Sequence, residues 1–479
     1  MKQRKLRMNS VQSIERIFVV GLVILFRTIG CIHAQDQKTF IFTEGDFIRQ
    51  VRQYHPVAMQ ANITIQKADA ALLSAKGVFD PAIVFDASRK TFDGKNYYFY
   101  TNPELSIPLP VGNIKTGIEN NGGDYITSEI TKGKTSYLGL EIPLAKGLLL
   151  DKRRATLQQA RLFRGQSEQQ RLLILNTLFF ESYLAYWNWV ASYQQYTAYT
   201  KFTEIANNRL RLIRIAGTQG DRSVMDTVEA YTQLQTYQLM QSEALLNLTK
   251  SKLELSNYLW FENYAGYQLP DNYLPDILNF NVATLSSNVE EQIAQSTLQN
   301  PTLKVYDFKL SSLEIERKLK RQSLLPYFSV KANWLNKDYN TFKNLSSNFI
   351  QNNYRWGINF KIPLFLREAR GEYRKSLLTI KETNLEFINK RQQTENKIRS
   401  YYTELITLVS QLQTAESMFS NYQSLLRSEE LKFAQGESSL FLVNSREIKV
   451  IELMQKKIEL ASKWYKTKYS LEWAAGKLF

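Results

Sequence analysis

The sequence predicts a mainly α-helical chain that also carries membrane-type β-strands, laid out as two copies of one pattern. Apolar residues recur at alternating threes and fours over stretches of some 70 residues, too long for an ordinary globular helix. Two short segments alternate strictly with a period of two, and prolines mark the same landmarks twice.

In chain order, Lys2, Arg4, Lys5 and Arg7 precede the apolar run Ile17 to Phe26, which reads as a secretory signal over residues 1–34 cleaved after Ala34. Ten apolar residues are too few for a spanning helix, which needs about 20. The rival reading is a lipoprotein signal modified at Cys31, although Thr28 stands where such a signal prefers Leu. Cleavage after Ala34 removes the only cysteine and one of two histidines, leaving His55 and no thiol. Ser-His-Asp triads, cysteine nucleophiles, His/Cys metal sites and disulfides lose their residues with it. An enzyme would have to work through carboxylates, and no paired acids form a recognisable site. No cofactor and no metal are expected. The formal charge of +16 is scattered through helical periods, and a GxxxxGK-type phosphate loop is absent, so nucleic acid is not an expected partner.

The repeat begins at "HPVAMQANITIQKADAALLSAKGVFDP" and again at "NPTLKVYDFKLSSLEIERKLKRQSLLP". Pro56 to Pro81 and Pro301 to Pro326 are both 25 residues apart, and a helix is expected between each pair. Its apolar stripe runs Ala61, Ile65, Ala68, Leu72, Ala75 in the first copy and Leu303, Tyr306, Leu310, Leu313 in the second.

A hairpin follows in each copy, over about residues 82–142 and 327–362, each ending in Ile-Pro-Leu (Ile142 to Leu144, Ile362 to Leu364). Tyr354, Trp356, Ile358 and Phe360 alternate with Arg355, Gly357, Asn359 and Lys361; Phe328, Val330, Ala332 and Trp334 alternate with Ser329, Lys331 and Asn333. Bulky aromatics on one face and polar side chains on the other suit a strand between lipid and water. Lys331, Asn333, Arg355, Asn359 and Lys361 are therefore candidate lumen residues. The first hairpin is longer, and "GNIKTGIENNGGD" from Gly112 to Asp124 is expected to be an exposed loop.

Beyond each Ile-Pro-Leu the period becomes helical, reaching a glycine 77 residues after Pro143 at Gly220 and 73 after Pro363 at Gly436. At 1.5 Å per residue these are rods of about 100 Å. The seam Ile398, Tyr402, Leu405, Val409, Leu412, Ala415, Phe419, Tyr422, Leu426 and the returning Ile451, Met454, Ile458, Ala461, Tyr465 predict coiled-coil packing. The expected organisation is residues 35–259 as the first repeat turning near 216–223, residues 260–290 as a linker, and residues 291–479 as the second repeat turning near 435–439.

Two hairpins give four strands, and four strands cannot close, since the smallest useful barrel has about eight. In lipid an open edge leaves backbone groups unpaired at several kcal/mol each, so copies of the chain are expected to complete the wall. The plainer alternative is an exported protein whose small sheet is buried against its helices.

On these residues the sequence resembles the TolC-like outer membrane efflux and secretion channels. The resemblance rests on the His/Asn-Pro helices, the Pro81 and Pro326 junctions, both Ile-Pro-Leu ends and the turns "GTQGDRSVMDTVEA" and "AQGESSLFLVNSRE", and spans residues 45 to 475. It implies a homotrimer in which twelve strands form one outer membrane β-barrel continuous with an α-helical coiled-coil barrel in the periplasm of a Gram-negative-type cell. The implied role is a passive duct of a tripartite efflux or type I secretion system. The implied partners are itself, the lipid bilayer, a periplasmic membrane fusion adaptor and an inner-membrane pump of RND, ABC or MFS type.

The family docks its partner at the helical turns, which singles out Gly217, Gly220, Ser223, Asp226, Gly436, Ser438 and Ser439. Leu442 stands where the second turn would repeat Asp226. Glycine and serine there also serve as ordinary helix caps. Arg209, Arg211, Arg214, Asp221, Arg222 and Glu437 cluster near the turns and are candidates for a periplasmic gate, the ordinary alternative being solvated turn charges. An exported coiled-coil scaffold or adhesive protein is the competing function.

Overall fold

The structure is a computed structural model that describes residues 39–277, 288–337, 339 and 353–479. The expected signal with its Ala34 cleavage and the alternative Cys31 anchor lie outside the described residues, as does the stretch 278–287 of the linker.

The chain begins with β1 (Phe40–Phe42) and helices α1 (Glu44–Tyr54) and α2 (Pro56–Gly77), then strands β2 (Ala82–Phe92), β3 (Lys95–Leu109), β4 (Gly112–Gly122) and β5 (Gly133–Pro143). The long α3 (Lys152–Thr218) and returning α4 (Val224–Ser256) complete the first half. After β6 (Tyr273–Pro275) and α5 (Val289–Gln299), the second half has α6 (Pro301–Gln322), β7 (Tyr327–Lys337), β8 (Tyr354–Lys361), α7 (Arg367–Ala434) and α8 (Leu440–Ala475). None of the described helices is long and apolar enough to cross a membrane.

The helices have matching lengths: 22, 67 and 33 residues for α2, α3 and α4, and 22, 68 and 36 for α6, α7 and α8. In each half the short helix and the return helix both pack along the long one. The predicted seam faces inward: Ile398, Leu405, Leu412 and Ala415 of α7 and Ile451, Ile458, Ala461 and Tyr465 of α8 are buried. The two halves meet where α3 packs on α8 through stacked rings, Trp187 on Tyr465 at 3.5 Å and Tyr183 on Tyr469 at 3.7 Å between centroids. The short parallel pair of β1 with β6 ties the linker to the chain's start, and the Tyr186 hydroxyl donates to the Phe42 carbonyl at 2.9 Å.

The sheet differs from expectation. Six strands in the order β2-β3-β4-β5-β7-β8 form one antiparallel sheet among the described residues, four from the first half and two from the second. The segment expected to be a loop is β4, paired on both sides: Ile114 lies between Ile107 and Leu140, and Thr116 between Leu105 and Leu138. Its glycines suggested a loop, but Gly117 serves a close approach. A Cβ there would sit 2.8 Å from the Tyr137 hydroxyl and 2.9 Å from the Pro103 carbonyl oxygen. Because it is absent, Tyr137 reaches across β4 to donate to Glu104 at 2.5 Å. Ile114, Thr116 and Ile118 supply the alternation that the glycine and asparagine content obscured.

Register sorts the side chains onto two faces. One row across the sheet reads Ile83, Leu105, Thr116, Leu138, Trp334, Tyr354, and the next reads Ile107, Ile114, Leu140, Ala332, Trp356. The opposite face carries Glu104, Lys115, Glu141, Lys331, Asn333, Arg355 and Asn359. The apolar face is not covered by helices: Trp356 is 64% exposed and every residue of β8 is exposed. The plainer alternative of a sheet buried on its own helices therefore fails for this surface.

Candidate docking turns, gate and lumen

Both helical turns are built alike from their last residues. After α3 and α7 the chain enters the left-handed region at Gly220 (φ 83°) and Gly436 (φ 79°). Amides then bond back across five residues, Asp221 N–H to the Ala216 carbonyl at 3.0 Å and Glu437 N–H to the Lys432 carbonyl at 2.9 Å. Nothing lies within 4 Å of a Cβ at either glycine, so backbone conformation, not space, is what selects glycine there. Gly217, by contrast, sits within α3, and a Cβ there would meet only ordinary contacts.

The next helices start on serine. Ser223 Oγ accepts from the Asp226 amide at 3.1 Å and Asp226 Oδ2 accepts from the Ser223 amide at 3.2 Å, a reciprocal capping box. Ser439 Oγ accepts from the Leu442 amide at 3.4 Å, and Leu442 has no carboxylate to return the bond. Ser438 instead donates to Glu429 of α7, closing the second turn on itself. Val224 and Met225 beside the first turn and Phe441 beside the second are exposed.

The candidate gate residues differ in their surroundings. Arg209 is mostly buried and donates to both carboxylate oxygens of Glu447 on α8, at 2.8 and 2.9 Å. Glu447, 1% exposed, also accepts from the Tyr237 hydroxyl of α4 at 2.8 Å, while Asn444 bridges Arg209 and Glu229. Burial opposes the Arg209 charge, yet Glu447 outweighs it and the guanidinium's pKa ends above its usual value. Burial and the Glu447 charge keep the Tyr237 phenol protonated to well above its usual range. This network joins α3 and α4 of the first half to α8 of the second just behind the turns.

Arg222 is held across the turns: its guanidinium lies 4.2 Å from the Phe433 ring centroid and donates to the Phe433 carbonyl at 3.3 Å. Arg214 lies 5.9 Å over Tyr231. Arg211, Arg214, Asp221 and Glu437 are exposed.

Sequence reading missed Glu447, Tyr237 and Asn444. Their signal was available: Leu440, Val443, Asn444, Glu447, Val450 and Ile451 keep helical spacing, so Asn444 and Glu447 fall inside a buried stripe where a charge demands a partner.

The lumen candidates share the polar face. Lys331 pairs with Glu141 at 3.3 Å, Asn333 faces Arg355 in register and lies over Gly139, Asn359 faces Ser329, and Lys361 faces Tyr327. Arg355 donates to the Glu129 carbonyl at 3.4 Å.

Residues 293–477 match the family described as outer membrane efflux protein. A search of curated proteins finds no match. Solved structures share the fold at low identity. The CmeC outer membrane channel of Campylobacter jejuni is 16% identical with a TM-score of 0.63, over 91% of this chain and 86% of that one. The outer membrane protein VceC of Vibrio cholerae is 13% identical with a TM-score of 0.63, over 90% and 95%. The MtrE outer membrane channel of Neisseria gonorrhoeae, in its open state, is 12% identical with a TM-score of 0.65, over 90% and 88%. The family match is confined to the second half of the chain, while over nine-tenths of its length the chain shares the fold of these outer membrane channel structures.

Proposed function

We propose that this chain is one subunit of a passive outer membrane efflux duct. The observation that carries the reading is the sheet: β2 and β8 are its open edges, one face is apolar and uncovered, and its strands lead directly into helices some 100 Å long. Six strands, like four, are too few to seal a pore alone, and unpaired edges in lipid are costly. Identical neighbours complete the wall; three copies, the number the family resemblance implies, bring together eighteen strands of this sheet and not the twelve expected from four per chain.

In this arrangement the two halves act as a tandem repeat, the apolar face meets lipid and the polar face with Lys331, Asn333, Arg355, Asn359 and Lys361 lines the lumen. The turns at Gly220 to Asp226 and Gly436 to Ser439 point to the far end of the rods, where a periplasmic adaptor docks on the exposed Val224, Met225 and Phe441. An inner-membrane pump supplies the driving force in a tripartite efflux or type I secretion system. Arg211, Arg214, Asp221 and Glu437, exposed in one chain, form a gate when repeated around the symmetry axis. Residues 1–34 direct export and are removed.

Crosslinking in membranes followed by mass measurement, together with conductance in planar bilayers, tests the reading. A trimer with stable conductance is expected, and Lys331→Glu with Arg355→Glu should shift ion selectivity toward cations. A monomer soluble without detergent and silent in bilayers would end it, in favour of a non-conducting scaffold.

A further inference from the structure

At the start of each half, one residue before a proline holds the splice between two stacked helices. In the second half this is Asn300, whose Oδ1 accepts from the Thr302 amide of α6 at 2.9 Å while its Nδ2 donates to the Ala474 carbonyl near the end of α8, also at 2.9 Å. In the first half it is His55. Its Nδ1 accepts from the Val57 amide of α2 at 3.2 Å, and the ring also hydrogen-bonds the backbone of Asn257, which caps the end of α4. Both residues are buried, and both join a helix N-terminus to the end of the returning helix beside it. One can take a proton and the other cannot.

We propose that the first-half splice is an acid-labile joint: protonation of His55 at Nδ1 opens the first turn of α2, while the ring's bond to the end of α4 and the Asn300 splice stay closed. The proton taken from solvent occupies the lone pair that accepts the Val57 N–H, so the cap bond is lost. The resulting cation also sits at a helix N-terminus, where the dipole disfavours it. The ring packs against Tyr258 and the edge of Trp260, with centroids 5.9 and 6.1 Å away. Ionisable neighbours in this region are Tyr258 itself, Glu254 of α4 and Glu181 of α3, which act on Tyr258, and Arg52 of α1, whose guanidinium lies over Phe179.

Burial lowers the His55 pKa below the ordinary value of 6.5, against a smaller opposing effect from the Asn257 carbonyl. A group whose folded pKa is depressed in this sense for a base stabilises the fold fully above its unfolded value. That stability is lost as pH falls from 6.5 toward the folded value, by a factor of about ten in the local opening constant per pH unit. The joint is therefore closed at neutral pH and loosens under acid.

Hydrogen exchange of the full chain in detergent, corrected for the intrinsic pH dependence of exchange, tests this without reference to conduction. Between pH 7.5 and pH 5 the amides of residues 57–59 should lose protection progressively below 6.5, by at most about tenfold per unit, while those of residues 302–304 should not. His55→Asn, which copies the second-half residue, should keep protection at 57–59 constant, and Asn300→His should transfer the acid response to 302–304. Unchanged protection at 57–59 in the native chain, an acid response surviving in His55→Asn, or a folded Asn300→His chain without the response would each overturn the proposal. If Asn300→His does not fold, the native chain and His55→Asn decide.

Discussion

The first helical turn and the second share their backbone and differ in their anchors. Both pass through a left-handed glycine, both bond back to the preceding helix and both restart on serine. The first adds the Ser223–Asp226 capping box and places Arg222 on Phe433 of the second turn. The second has Leu442 in place of the acid, binds Ser438 to Glu429 and contributes Glu447, which is held by Arg209 and Tyr237 of the first half. The lesson is that local chemistry suffices to make either turn, whereas their mutual position depends on charged and aromatic side chains that reach from one half to the other.

The largest way to break this arrangement is at the buried pair. Glu447→Ala leaves Arg209 buried without its partner and is expected to cost about 3–5 kcal/mol, read as a fall in the thermal unfolding midpoint of the purified protein. Arg209→Met with Glu447→Met should recover most of that loss, because neither charge is then buried alone. If the double variant is no better than the single one, the pair is not the element that registers the halves.

Next are the glycines. Gly220→Ala and Gly436→Ala should each cost about 1–2 kcal/mol, and equally, since both occupy the left-handed region with open space around the Cβ position. A marked inequality would show that something other than φ distinguishes the turns.

A smaller effect sharpens the contrast. Ser223→Ala should cost about 1 kcal/mol and exceed Ser439→Ala, whose cap bond is longer and unreciprocated. Leu442→Asp should give the second turn its missing carboxylate at the helix start and gain about 0.5 kcal/mol. The same substitution, assayed for partner capture, separates capping from docking: a change in binding larger than the change in stability assigns Leu442 to the docked surface.

Acid provides the finest test at this end of the molecule. Burial raises the pKa of Glu430, which lies 3.6 Å from Arg209. A carboxylate with a raised folded pKa binds its proton more readily in the fold, so ionising it costs stability as pH rises through the unfolded value. Glu430→Gln should therefore stabilise slightly near neutral pH and be neutral in acid, compared by unfolding midpoints at pH 7.5 and pH 4.

Much of this architecture is legible in the sequence. Repetition is a one-dimensional property, so Pro56/Pro81 and Pro301/Pro326 mark helices of equal length wherever they pack. Heptad seams and period-two strands are likewise local, and they predicted the buried stripes of α7 and α8 and the two alternating faces of β7 and β8. Gly220 and Gly436 announced the turns because only the backbone conformation was at stake.

What tertiary structure alone decided is pairing across distance. β4 reads as a loop when its glycines are counted, and becomes a strand because β3 and β5 satisfy its backbone and Tyr137 needs the space above Gly117. Arg209 reads as one of several turn charges, and becomes a buried anchor because Glu447, more than 200 residues later, is folded against it. Local sequence determines conformation through sterics and periodicity. Which distant group satisfies a buried charge or an unpaired strand is determined only when the chain closes on itself.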